Sequence, residues 1–135
     1  MNGQYLLDTN TISYAATGRS PRALRMITER LSGEVLISCI SCAEIWYGLS
    51  RKPGAIRLER AIAALFAEAE ILPWTIDTAS SYAELRTQME QSGKSLAPLD
   101  LLIAAHALEA KATLVTNDRA FRFVPGLAIE DWTAD

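Results

Sequence analysis

Apolar residues in this chain fall into two patterns that take turns. Short apolar runs, at 5–7, 35–39, 71–74 and 113–116, have the length and the branched content of buried strands. Leu127 to Ile129 reads as a fifth. Pro73 inside the third run places that strand at an edge or at its own end. Between these runs the apolar positions recur at helical spacing. Thr11 to Ala16 forms a short helix that ends near Gly18. Ser20-Pro21 opens the next, with Leu24, Ile27 and Leu31 on one face and Gly33 beyond its end. Ser41 caps a helix carrying Ile45, Trp46 and Leu49 inward. Ile56 to Glu68 is built on Leu58, Ile62, Leu65 and Phe66. Asp77 or Thr78 caps a helix with Tyr82, Leu85 and Met89 inward, ended by Gly93, and Pro98 opens a last helix that runs to about Lys111.

Strands and helices in repeated alternation predict an α/β fold with a central parallel sheet of four to five strands flanked by helices. We read residues 1–135 as one domain of this kind. In such a sheet the strand carboxyl ends and the amino ends of the helices that follow them share one edge, and ligands bind there.

Composition adds little to this picture. Half the residues are apolar and about a fifth are charged, with no repeat or low-complexity tract. The longest apolar stretch, Leu101 to Leu108, falls short of the ~18 residues that span a bilayer, and no secretion signal is seen, so no membrane partner and a cytoplasmic location are expected. Net charge is -3, yet eight basic residues crowd between Arg19 and Arg60 against four glutamates. Arg19, Arg22, Arg51 and Lys52 lie in segments next to the strand-end loops and are candidates for meeting the phosphates of a polyanion. Solvated helix faces explain the same charges more plainly.

The chemistry lies in four acids. Asp8 follows the first strand, where Asp and Asn10 are poor strand residues and good turn residues. Glu44 follows the second strand in the first turn of a helix. Asp100 begins the helix before strand four, and Asp118 lies just past that strand. All four map to one edge. Carboxylates brought together raise one another's pKa unless a cation intervenes, and an all-oxygen set suits Mg²⁺ or Mn²⁺. Such ions activate water against a phosphodiester. Each acid also has a plainer role: Asp8 ends a strand, Ser41-x-x-Glu44 is a capping box, Asp100 complements a helix dipole and Asp118 sits in a turn. Asn10, Ser41 and Thr116 stand beside the acids and are candidates to orient them.

The segments Leu6 to Asn10, Ser41 to Gly48, Pro98 to Ala107 and Leu114 to Asp118, with Val124 to Leu127 and Glu130 to Trp132, occur together and in the order of a known family. The chain resembles a PIN-domain ribonuclease, and within that group a VapC-type toxin of a bacterial toxin–antitoxin pair. The resemblance implies that Asp8, Glu44 and Asp100 hold Mg²⁺ or Mn²⁺, with Asp118 in a more variable fourth position. It implies an endoribonuclease acting on RNA, a two-fold homodimer, and inhibition by a VapB-type antitoxin. Leu99 departs from the pattern, since many relatives carry a polar residue there.

Other features carry less. Cys39-x-x-Cys42 has a thioredoxin spacing, but a zinc site would need more ligands than one His and two Cys. His106 lies inside an apolar run, about six residues past Asp100, and reads as structural. Trp46, Tyr47 and Trp74 read first as core or interface residues. A phosphatase of the haloacid-dehalogenase type would want Asp-x-Asp where Asn10 stands. A phosphoacceptor receiver would want a Lys at a strand end, where neither Lys94 nor Lys111 lies.

Overall fold

The computed structural model describes residues 3–134. Five strands, β1 (Tyr5–Leu7), β2 (Val35–Ser38), β3 (Glu70–Leu72), β4 (Thr113–Val115) and β5 (Ile129–Glu130), form one sheet in the order β3-β2-β1-β4-β5, with every pairing parallel. The six α-helices are α1 (Thr9–Thr17), α2 (Pro21–Glu29), α3 (Cys39–Ser50), α4 (Ile56–Glu68), α5 (Ile76–Gln91) and α6 (Pro98–Glu109). A 3-10 turn covers Arg119–Phe123.

Both faces of the sheet are covered, which is why the central strands are continuously apolar. The two-residue alternation divides them. Leu6, Leu36 and Leu114 enter one core with Leu85 and Met89 of α5 and Ile103 of α6. Leu7, Ile37 and Val115 enter the other with Ile12 of α1, Ile27 of α2, Ile45 of α3 and Ile62 of α4. Register locks the strand ends together: Leu7 pairs with Ile37 on one side and Val115 on the other. The chain leaves β1 toward β2 on one side and reaches β4 on the other. The carboxyl ends of β1 and β4 therefore flank the point where the strand order reverses, the usual ligand crevice of an open α/β sheet.

Several boundaries differ from the sequence reading. β2 stops at Ser38, and Ser38 rather than Ser41 caps α3, its Oγ accepting from the Ile40 amide at 3.1 Å. Ser38 still has extended backbone, so its hydroxyl is the first able to reach the open amides of the helix. The capping box of Ser41 and Glu44 is thereby excluded: Ser41 is inside the helix and Glu44 in its second turn. α5 is capped by Thr75, with Thr75 and Thr78 bonding each other's amides, rather than by Asp77 or Thr78 alone. Trp46 is 58% exposed, not inward, and meets Phe66 of α4 edge-on at 5.7 Å. Leu24 is also exposed. The edge position of β3 is as the sequence implied, with Pro73 just after it.

His106 is a buried structural residue. Its Nδ1 lies 2.8 Å from the Ser38 hydroxyl, and Trp74 packs edge-on against the ring at 5.3 Å. Burial pushes its pKa below the ordinary value, against the opposing influence of Glu109 and the Pro73 backbone, so the neutral ring is favoured. Ser38 thus ties the sheet edge, α3 and α6 at one hydroxyl. Ser38→Ala removes the cap and leaves a buried imidazole nitrogen without a partner. It should cost about 2 kcal/mol in chemical denaturation; a loss within a few tenths, the size of a plain surface change, would show that the hydroxyl holds nothing.

Candidate active site

Asp8 sits one residue past β1 and is the N-cap of α1. It is 5% exposed, and both its oxygens are held. Oδ1 accepts from the Thr11 amide at 2.8 Å and Oδ2 from the Thr116 hydroxyl at 2.5 Å. The Asp8 amide in turn donates to the Val115 carbonyl at 3.0 Å, and the Thr11 hydroxyl reaches the same carbonyl at 3.1 Å. The carboxylate is therefore pinned across the reversal point between β1 and β4. Thr116 also accepts from the Asp118 amide at 3.0 Å, so one hydroxyl positions two of the four acids. Asp118 caps the 3-10 turn, its Oδ1 accepting from the Ala120 amide at 2.9 Å.

Glu44 is held from α1. The Thr9 hydroxyl lies 2.6 Å from Glu44 Oε1 and 3.2 Å from the buried Ser41 hydroxyl. Thr9 went unnoticed in the sequence. It is the residue after Asp8, and a hydroxyl in the first turn of a helix carries no signal of what lies across the fold. Thr11 escaped for the same reason. Asn10 is exposed beside them and lines the cleft described below.

Asp100 is brought in by α6. Helices α5 and α6 run antiparallel, for the Thr78 hydroxyl in the first turn of α5 donates to Glu109 in the last turn of α6 at 2.9 Å. Asp100 lies at the opposite end of α6, half-buried. Burial pushes its carboxyl above the ordinary range, and the charges of Asp118, Glu44 and Asp8 push it further. Burial also raises Asp8; the bonds from Thr116 and Thr11 oppose this, and Asp118 adds to it. The four acids are electrostatic neighbours as expected. Among the described residues, however, no three Asp, Glu, His or Cys side chains close on one point as they stand. The donor set is all oxygen and carries excess negative charge in a partly desolvated place. Those are the conditions a hard divalent cation relieves, so the residue types fit Mg²⁺ or Mn²⁺.

The basic candidates divide. Arg19 and Lys52 line a cleft that Glu44, Thr9 and Asn10 also line. Arg22 donates to the Ala134 carbonyl, and Arg51 lies over the Tyr47 ring at 5.6 Å.

With this geometry in hand, comparison with known proteins is direct. A PIN domain family model matches residues 5–127, and the chain belongs to the PIN-domain family. It is 35% identical over 131 residues to Ribonuclease VapC2 of Rickettsia felis, covering 95% of this chain and 97% of that one. It is 28% identical over 130 residues to the tRNA(fMet)-specific endonuclease VapC of Salmonella typhimurium, covering 96% and 98%. The solved structure of VapBC2 from Rickettsia felis bound to a promoter DNA fragment aligns with a TM-score of 0.87 at 32% identity, covering 95% of this chain and 98% of that one.

The raised carboxyls have a thermodynamic consequence. In chelator the folded state takes up protons at Asp8 and Asp100 before the unfolded chain does. These two acids therefore weaken the fold at neutral pH and cease to do so as pH falls through their folded values. Asp100→Asn should raise the melting temperature at pH 7 in chelator and flatten part of the stability gained on mild acidification. A lower melting temperature for this variant would contradict the charge argument.

Proposed function

We propose that the chain is a metal-dependent endoribonuclease, the toxin of a toxin–antitoxin pair, with Asp8, Glu44, Asp100 and Asp118 holding Mg²⁺ or Mn²⁺. The observation that carries the reading is the gathering of carboxylates at the reversal point of the sheet, where Asp118, Glu44 and Asp8 all lie close enough to push the half-buried Asp100 carboxyl further up. When bound, such an ion supplies an activated water and a charge that steadies the leaving oxygen of a phosphodiester. The chain's own part is positioning. Asp8 and Asp100 approach from two elements, Thr116 keeps the Asp8 carboxylate aimed, and Thr9 keeps Glu44 from swinging into solvent. No covalent nucleophile is needed. With the four acids offset by cations the balance of the chain becomes +1, which suits a polyanionic substrate, and Arg19 and Lys52 stand ready for its phosphates.

Calorimetry and cleavage test this together. Asp8→Asn and Asp100→Asn should each lose Mn²⁺ binding and RNA cleavage by more than the roughly 10–100-fold that loss of an outer positioning group costs. Thr9→Val, which frees Glu44, should fall within that smaller range. Unchanged Mn²⁺ affinity in both acid variants would overturn the assignment.

The inhibitory partner is a VapB-type antitoxin. The matched neighbours include VapBC complexes, and this chain offers a surface for such a partner. A groove of about 350 Å³ runs between α2 and α4, floored by Ala15 and Ala16 and walled by Leu24, Leu31, Ala61 and Ala64. Its small residues allow a close approach to an apolar helix, the helix-in-groove mode. A basic side chain on the same tail would pair with the acids in a bidentate way. Ala64→Arg should abolish co-purification with the small protein encoded beside this one and leave cleavage intact. If the unaltered pair forms no complex, and expression alone leaves growth unaffected, the chain is a housekeeping nuclease instead. The proposal includes a two-fold dimer. Leu85 and Met89 of α5 are buried against α6, so they are not free to form the interface, and light scattering should report twice the chain mass.

A further inference from the structure

A cleft beside the acids is left unused by the metal reading. Its volume is about 360 Å³, within the range of small-ligand sites. Glu44 and Asn10 mark the end nearest the acids, and the cleft runs from there between α1, α3 and α4. Its inner wall is apolar, formed by Ile45, Leu49, Leu58 and Ile62. Two cations stand at its rim, Arg19 and Lys52, and neither pairs with an acid among the described residues. The Arg19 guanidinium lies 4.6 Å from the centre of the Tyr14 ring, which also lines the cleft, so its plane is already held for stacking.

A second observation comes from Gly48. It lies inside α3 with helical backbone and no positive φ, and a Cβ built on it meets nothing within 4 Å. Neither conformation nor crowding requires glycine there, and glycine weakens a helix interior. What its missing side chain preserves is open space, and Gly48 lines this cleft.

We propose that the cleft receives one unpaired nucleobase of the RNA next to the scissile phosphate, and that it sets base preference at that position. Single-stranded RNA is read by bases splayed out onto aromatic rings and arginine planes. An apolar wall for the base, a stacked arginine and a lysine for the flanking phosphates, and an adjoining acid cluster for the bond to be cut suit one nucleotide. This inference rests on the ribonuclease reading, and its test separates the two.

The probe is a fluorescein-labelled pool of single-stranded 12-mer oligoribonucleotides of random sequence, retained by the full chain carrying Asp8→Asn. Sequencing the retained fraction should show one base enriched at one position above its share of the input pool, a modest preference of the kind that differences in stacking strength supply. Adding Gly48→Val in that background should erase enrichment at that position while total retention persists, and Arg19→Ala should weaken both. Circular dichroism of the Gly48→Val chain should show an intact fold, and Gly48→Ala provides a milder filling that favours the helix. Equal retained pools with and without the filled cleft, or no retention by the unfilled one, would overturn the inference. Wild-type protein given the same pool reports the other reading separately. Cleavage without enrichment leaves a ribonuclease and removes the base pocket, whereas enrichment without cleavage does the reverse.

Discussion

The structure depends on a single buried carboxylate held between two strands. Asp8 has almost no access to water, and it stays in place because an amide of its own helix and the hydroxyl of Thr116, just past β4, each engage one of its oxygens. Few folds tolerate such a group without a reason, because desolvation acts against its charge. Here the same bonds knit β1 to β4 at the reversal point, and the Asp8 amide extends the pairing by one more link to Val115. The other acids arrive by separate routes, Glu44 on α3, Asp100 on α6 and Asp118 after β4. Each stops near Asp8 because parallel strands and their register bring those segment ends to one edge.

That arrangement sets stability against function. Two carboxyls are driven above their ordinary range by burial and by neighbouring carboxylates, Asp118 beside both of them, so the fold carries a repulsion that a bound cation would remove. The compensation is distributed through both cores and through tethers at the rim. Trp132 is buried, packs at a tilt against the Tyr5 ring at 5.1 Å, and lies under the Arg30 guanidinium at 5.1 Å. This fastens the segment after β5 to the start of β1 and to α2, so the outer strand is not left to fray.

Much of this was legible in the residues. An apolar run that breaks into Asp-Thr-Asn can hardly be anything but a strand end, and a parallel sheet deduced from alternation was enough to map four acids to one edge. The α4 boundaries followed directly from its periodicity. What could not be read were choices among equivalents. Ser38 and Ser41 both suit an N-cap, and only the length of β2 decides between them. Trp46 has the spacing of an inward residue but lies at the margin of the helix–helix contact, where a large ring meets Phe66 and solvent together. Thr9 and Arg22 find partners at sequence separations of 35 and 112 residues, which no local pattern records. Positions of that kind are the ones that orient the acids and sort the cations, so the composition of the site was more visible than its wiring.

The central claim is that the edge at Asp8 is a divalent-cation site, although among the described residues no three acids meet at one point. Crystals grown with Mn²⁺ and measured with anomalous scattering at the manganese edge test it most directly. The account predicts an anomalous peak within coordination distance of both the Asp8 and Asp100 carboxylates, with Glu44 or Asp118 turned toward it. A chain that binds Mn²⁺ elsewhere, or shows no peak at that edge while the acids remain ordered, would contradict it.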